Sequence, residues 1–281
     1  MSAETLAARP VLAAVKGVPT SDGAGVKMTR MLGTEQARMF DPFLMLDHFN
    51  SDQADDYMAG FPEHPHRGFE TVTYMLEGRM RHKDNTGREG VVGPGGVQWM
   101  RAGKGVVHSE MPEQAQGRMR GFQLWINLPA ALKMSAPDYQ EFDADRIPVE
   151  ARDGGTRVKV VAGKTAQGTR GPVGDGAVDA LYFDVSLPAG QTFDEPIAAD
   201  HNVMLALYEG AVSVGGQRVD AVGAIFLGEG DAVRVTAESD ARFLVIAGRP
   251  LKEPVAWSGP FVMNSREEVA QAFEDYRAGR F

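Results

Sequence analysis

Two short clusters of metal-ligating residue types stand about 40 residues apart in this sequence. The first is Phe61-Pro62-Glu63-His64-Pro65-His66-Arg67-Gly68-Phe69-Glu70, and the second is Gly105-Val106-Val107-His108-Ser109-Glu110-Met111-Pro112. Each holds an i, i+2 pair, His64/His66 and His108/Glu110, and in a strand such residues project from one face. Glu70 shares the parity of His64 and His66 if no bulge intervenes. Neutral imidazoles with a carboxylate suit a borderline divalent ion such as iron, manganese, nickel, cobalt, copper or zinc. Three or four protein ligands leave positions open for water, dioxygen or a chelating substrate. A single His-x-His reads as a pair of surface histidines. Here four of the six histidines fall in one stretch and two clusters share the spacing, which points to a metal site.

The elements that position these residues are legible as strands. Thr71-Val72-Thr73-Tyr74-Met75-Leu76-Glu77-Gly78 alternates with the period of a half-buried strand. Gly78, Gly87, Gly90, Gly93, Gly95 and Gly96 punctuate short strands, so each ligand cluster can sit on its own strand of a barrel. Asp41–Phe49 is mostly apolar and predicts a lining strand. In Gly121–Leu128, Phe122, Leu124 and Ile126 fall on one side and Gln123, Trp125 and Asn127 on the other.

The stretch HPHRGFETVTYMLEG…GGVQWMRAGKGVVHSEMP resembles the N-terminal cupin of the pirin family. Upstream, Asp41-Pro42-Phe43-Leu44-Met45-Leu46-Asp47 is similar to that family's DPFLxLD segment. Downstream, GFQLWINLPAALKMSAPDYQ and GPFVMNSREEVAQAFEDYRAGRF extend the likeness over nearly the whole chain. The resemblance implies an all-β protein of two tandem jelly-roll cupins with a C-terminal α-helix. It also implies a single divalent ion per chain, iron(II) first among the candidates, on His64, His66, His108 and Glu110. A typical cupin uses a glutamate at the position of Glu70, whereas in pirins the fourth ligand comes from the His-x-Glu cluster; Glu70 then stands behind the ligands, as does Arg67.

The bounds agree with two domains. A chain of 281 residues is long for one small barrel. Its 43% apolar and 24% charged content is ordinary for a globular chain. A net charge of −9 argues against a direct nucleic-acid or anionic-membrane partner. With no cysteine, thiol redox chemistry is absent. Met1-Ser2-Ala3-Glu4 lacks a basic leader region and no apolar run reaches membrane-spanning length, so a cytoplasmic location is expected.

The expected division is 1–135 for the metal-binding cupin, 136–150 for a linker, and 151–281 for a second, metal-free cupin with the helix. The second half repeats short β-rich runs, and Tyr208-Glu209-Gly210 parallels Leu76-Glu77-Gly78. Its lone histidine, His201, lies between Asp200 and Asn202, and Gly228-Glu229-Gly230-Asp231 offers no imidazole. Ser265 and Glu268 form a capping box for a helix carrying Val269, Ala272, Phe273 and Tyr276 as a packing stripe. His82 reads as a solvated turn residue, and His48 as either a cavity residue or a structural one.

The family resemblance implies quercetin 2,3-dioxygenase activity, with Glu110 as general base and dioxygen as co-substrate. Strand parity offers Phe43, Met45, Trp99 and Trp125 as walls for a flat flavonol-like substrate, with Met100 beside Trp99 and Gln123 as a polar contact. Two alternatives use the same ligands: an iron-dependent regulator acting through a protein partner, and a dioxygenase for another enolic or phenolic metabolite.

Overall fold

The computed structural model describes residues 6–281 apart from Asp175 and Ala221; the Met1–Glu4 segment read above lies outside the described residues. The chain is mostly strand, with two tandem cupins and one α-helix, Arg266–Arg277. No helix among the described residues is long and apolar enough to cross a membrane.

The chain divides into two compact units whose boundaries differ from the expected ones. The histidine-bearing unit comprises Val18–Ala144 together with Leu251–Phe281. The second unit comprises Asp145–Pro250 together with the described residues up to Gly17. Each unit therefore takes one terminal segment from the far end of the sequence. The strand Val11–Lys16 pairs antiparallel with Gly223–Leu227 in the second unit. Leu251–Phe281, which carries the helix, joins the histidine-bearing unit. Sequence reading missed this because the tail's packing partners lie more than a hundred residues away from it.

The histidine-bearing unit is a sandwich of a seven-stranded sheet and a four-stranded sheet, with a two-stranded ribbon from the tail. The large sheet runs Asp138–Phe142, Val97–Arg101, Phe69–Glu77, Met119–Asn127, Phe43–Ser51, Val26–Leu32, Val18–Asp22. The small sheet runs Phe61–His66, Val106–Pro112, Met80–Asp84, Glu89–Val92. Between Phe61–His66 and Phe69–Glu77 the chain must change sheets within two residues. Gly68 makes the corner at φ 89°, where a β-carbon would meet the carbonyl oxygen of Val262 at 2.0 Å.

Both faces of the large sheet are buried: every residue from Phe69 to Met75 is enclosed. One transverse row on its inner face is polar throughout. In register across six strands stand Arg30, Asp47, Gln123, Thr73, Gln98 and Glu141. Directly opposed residues in a sheet share a face, so this row forms a continuous polar band along an otherwise apolar interior.

The tail is bound to this unit by polar contacts. Asp41 accepts from the amides of Leu251 and Lys252 at 3.1 and 2.8 Å. Fully buried Lys133 donates to the carbonyls of Gly68 and Val262, both at 2.8 Å, and to Asn127 Oδ1 at 2.6 Å. Burial lowers its pKa to about 8, while three acceptors match the three protons of the ammonium. Phe261 of the tail packs edge-on against Phe273 of the helix at 4.7 Å.

In the second unit a seven-stranded and a four-stranded sheet enclose a continuous aliphatic core built from residues such as Val160, Phe183, Leu205, Ile225 and Val245. His201 is buried there, with Nδ1 on Asp200 and Nε2 on the Asp179 carbonyl, each at 2.9 Å. Both ring nitrogens are thus occupied by protein partners.

Candidate metal centre

The four-stranded sheet brings the two sequence clusters together. His108 pairs directly with His64, and Val106 with His66, so all three imidazoles leave one face of adjacent strands. One nitrogen from each of His64, His66 and His108 lies within 4.8 Å of the others. Ring centroids are 4.4 Å apart for His64–His108, 4.6 Å for His64–His66 and 5.0 Å for His66–His108. Trp125 and Phe69 set their edges against His66 at 5.1 and 5.0 Å, closing the apolar side.

The nitrogens fit a cation. His64 Nδ1 lies 2.8 Å from the Pro62 carbonyl, an acceptor, so the proton is on Nδ1 and Nε2 presents a lone pair inward. That Nε2 meets His66 Nε2 at 3.0 Å. Both nitrogens of His108 are buried with no protein partner, and His66 has only the Pro260 backbone besides its neighbouring imidazoles. Burial holds His66 and His108 well below the ordinary histidine pKa, with neighbouring imidazoles acting in the same direction. Imidazole nitrogens crowded tip to tip are costly alone, and a shared divalent ion would take the lone pairs that face one another.

Glu110 stands beside this trio rather than within it. A strand irregularity separates it from His108, and no carboxylate among the described residues joins the three nitrogens within that distance. Its Oε1 is 2.9 Å from the Thr73 hydroxyl, and Gln123 Nε2 donates to its Oε2 at 3.2 Å. The polar band of the large sheet thus holds Glu110 from below.

The remaining expectations divide by sheet face. Met45, Gln123 and Trp125 line a cavity of about 660 Å³ together with His64, His66, Thr73 and Glu110. Phe43 and Trp99 do not line it. Phe43 is fully enclosed, and Trp99 lies opposite Val72, on the far face from Thr71 and Thr73. Met100 is buried in a small cluster with Ala102 and Val106, also away from the cavity lining. Glu70 shares the far face, where it accepts from Trp99 Nε1 at 2.8 Å and Arg101 Nε at 2.9 Å. The corner at Gly68 breaks the parity that linked Glu70 to His64 and His66. With both faces buried, alternation along this strand could not reveal which one looks inward.

Arg67 is buried with its guanidinium turned to the tail. It donates to Asp275 Oδ2 at 2.7 Å and lies 4.3 Å over the Phe281 ring. The residue following a candidate ligand is thereby tied to the terminal helix.

His82 is not a solvated turn residue. It is buried opposite Glu110, and its Nε2 is 3.3 Å from Glu141. His48 stacks on Phe122 at 4.7 Å, one residue out of phase with the cavity-lining Asp47 and Phe49. Burial, aided by Arg120 and Arg118, lowers its pKa to about 3.

Sequence reasoning missed Thr73, Asp47 and Arg30 as cavity residues, and also Trp257 and Pro260 of the tail. The first three sit at alternating positions of strands already expected. The tail residues gave no local signal, since only the fold brings them to the cavity.

Comparison with known proteins accords with this architecture. Residues 25–126 match the pirin family model and residues 182–281 match the pirin C-terminal cupin domain. A pirin-like protein of Caulobacter vibrioides is 72% identical over 97% of this chain and 99% of its own length. Pirin of Homo sapiens is 40% identical, covering 92% of this chain and 88% of its own. A solved structure of quercetin 2,3-dioxygenase from Acinetobacter baumannii superposes with a TM-score of 0.90 at 33% identity, covering 98% of this chain and 99% of that one.

Proposed function

This chain belongs to the pirin family of paired cupins, and from that premise we propose that it is a metal-dependent dioxygenase opening the central ring of quercetin-type flavonols. The observation that carries the proposal is a cluster of three imidazoles, two of which open with a braced carboxylate onto one largely apolar cavity. Likeness to a quercetin 2,3-dioxygenase structure over nearly all of both chains supports the reaction class.

In this reading His64, His66 and His108 would hold the ion, iron(II) being the expected one, and Glu110 beside them would complete the set. When bound, the divalent ion supplies Lewis acidity that makes a chelating enolic hydroxyl more acidic. The protein's own groups do the rest. Glu110 takes the proton of the flavonol 3-hydroxyl as general base. Thr73 and Gln123 hold its carboxylate in place while that proton is transferred. Met45 and Trp125 flank the flat rings and exclude water from the reacting end. One dioxygen is consumed and the two carbon–carbon bonds flanking the hydroxyl-bearing carbon break; that carbon leaves with its own oxygen as carbon monoxide, and both dioxygen atoms remain in the depside ester.

The test is an anaerobic titration of the iron-loaded protein with quercetin, followed by air. Catalytic bleaching of the flavonol band with stoichiometric carbon monoxide is expected. Chelation that stops at one flavonol per site and yields no carbon monoxide would overturn the reading.

A further inference from the structure

The polar band has two ends, and only its centre, Thr73 and Gln123, braces Glu110. At one end Arg30 and Asp47 form a bidentate pair in the wall of the same cavity, with Nε to Oδ1 at 2.8 Å and Nη2 to Oδ2 at 2.7 Å. Asp47 is 2% exposed, so this is a charge pair built into an otherwise apolar wall of Met28, Met45, Phe49 and Phe61. Such a pair costs desolvation, and well-packed apolar residues would commonly serve stability as well. Its position in a cavity wall suggests a role in recognition.

The pair is not saturated. Arg30 spends Nε and Nη2 on Asp47 and shares Nη2 with Asp22 at 3.2 Å. Among the described residues Nη1 donates to no protein acceptor, and the Arg30 side chain is 21% exposed. Arg30 lies two strands from Gln123 in the row, about 10 Å at strand spacing. A ligand whose enol is held at Glu110 therefore meets Arg30 only through a group on a part of the molecule remote from that enol.

Charge narrows the ligand class. Arg30 is the only arginine or lysine lining the cavity among the described residues, against Asp22, Asp47, Glu63 and Glu110. A second anionic group on the ligand would meet net negative charge, whereas a neutral hydroxyl can accept from Arg30 and donate to a carboxylate.

We propose that Arg30 and Asp47 are a distal anchor that selects neutral substrates bearing a phenolic hydroxyl on the ring remote from the chelating enol. This rests on the flavonol reading above and adds specificity to it. Carboxylated or phosphorylated analogues are excluded, and ring systems lacking the remote hydroxyl bind through the metal end alone.

The experiment compares anaerobic binding of quercetin and 3-hydroxyflavone, which lacks the remote hydroxyls, to iron-loaded protein. The wild type is expected to favour quercetin about tenfold, the scale of one or two well-placed hydrogen bonds. Arg30→Lys removes the planar fork and should reduce that preference to within twofold, leaving 3-hydroxyflavone affinity unchanged. An Arg30→Met/Asp47→Leu double variant replaces the pair with apolar groups and should give the same collapse; its melting and iron content report the fold. Equal weakening of both ligands, or an unchanged preference in either folded variant, overturns the anchor while the dioxygenase reading stands. A wild type that binds both compounds equally also overturns it, whatever the variants do. If the wild type binds neither compound, the flavonol reading itself falls and takes the anchor with it.

Discussion

At the scale of single residues, the three histidines and Glu70 make opposite predictions. His66→Ala or His108→Ala is expected to abolish tight metal binding, because the remaining ligands cannot enclose the ion. Glu110→Gln should weaken binding and remove turnover. Glu70→Gln should retain the metal yet cost about 1–3 kcal/mol, since it weakens the buried acceptor of Trp99 and Arg101. Metal analysis and melting of the same preparations check this, and an emptied site in Glu70→Gln would contradict it. The histidines were readable because i, i+2 spacing survives in any strand. The place of Glu70 was not, because a sheet change at Gly68 resets parity without a local mark beyond the glycine. His48 adds a pH dependence. Its folded pKa of about 3 lies below the ordinary 6.5, so the unfolded chain binds the proton first as pH falls. Stability is full above pH 6.5 and declines below it, by about 2 kcal/mol at pH 5 at 1.36 kcal/mol per unit. Denaturant titrations at pH 7 and pH 5 should show a loss about 2 kcal/mol larger for the wild type than for His48→Gln, the buried His66 and His108 contributing to both.

At the scale of elements, the terminal helix was the most legible feature. Ser265 accepts from the Glu268 amide at 3.2 Å and Glu268 Oε2 accepts from the Ser265 amide at 3.0 Å, the reciprocal cap that the sequence predicts. Ser265→Ala should cost about 1 kcal/mol, measured as a lowered melting midpoint. What the helix packs against was not legible. Its Asp275 holds Arg67, next to His66, and Phe281 beyond the helix covers the same guanidinium. Phe273→Asp, which sets a carboxylate against Phe261, should therefore lower the melting temperature and also loosen metal retention. Retained metal affinity at reduced stability would show that the helix supports the fold without bearing on the ligands. The large sheet teaches a related lesson. Gln123 and Trp125 line the cavity, on the side that the alternation of Gly121–Leu128 set apart from Phe122, Leu124 and Ile126, whereas Trp99 belongs to a strand buried on both sides and does not line it.

At the scale of the whole molecule, the units are not consecutive in sequence. A chain ended after Pro250 would keep all four candidate ligands yet lose Val262, whose carbonyl accepts from the buried Lys133 ammonium. It would also lose the partners of Asp41 and Arg67. Such a truncation is expected to bind no stoichiometric metal, and adding residues 251–281 in trans should restore part of it. Retention of one ion per chain by the truncated protein would refute this. Two jelly-roll halves were foreseeable from strand density and the repeated Glu-Gly turn. Their shared ends were not, because pairing across more than two hundred residues leaves no periodic trace.

The placement of Leu251–Phe281 in the histidine-bearing unit also sets an order of assembly. On the ribosome the ligand strands emerge early, but the segment that completes their barrel is translated only after the whole of Asp145–Pro250. For most of synthesis His64, His66 and His108 belong to an unfinished domain, while Asp145–Pro250 and the leading strand already suffice for the second unit. Iron loading is therefore expected only once Leu251–Phe281 has been made and has emerged. Free chains ended after Pro250 should be protease-resistant in the second unit and sensitive in the first.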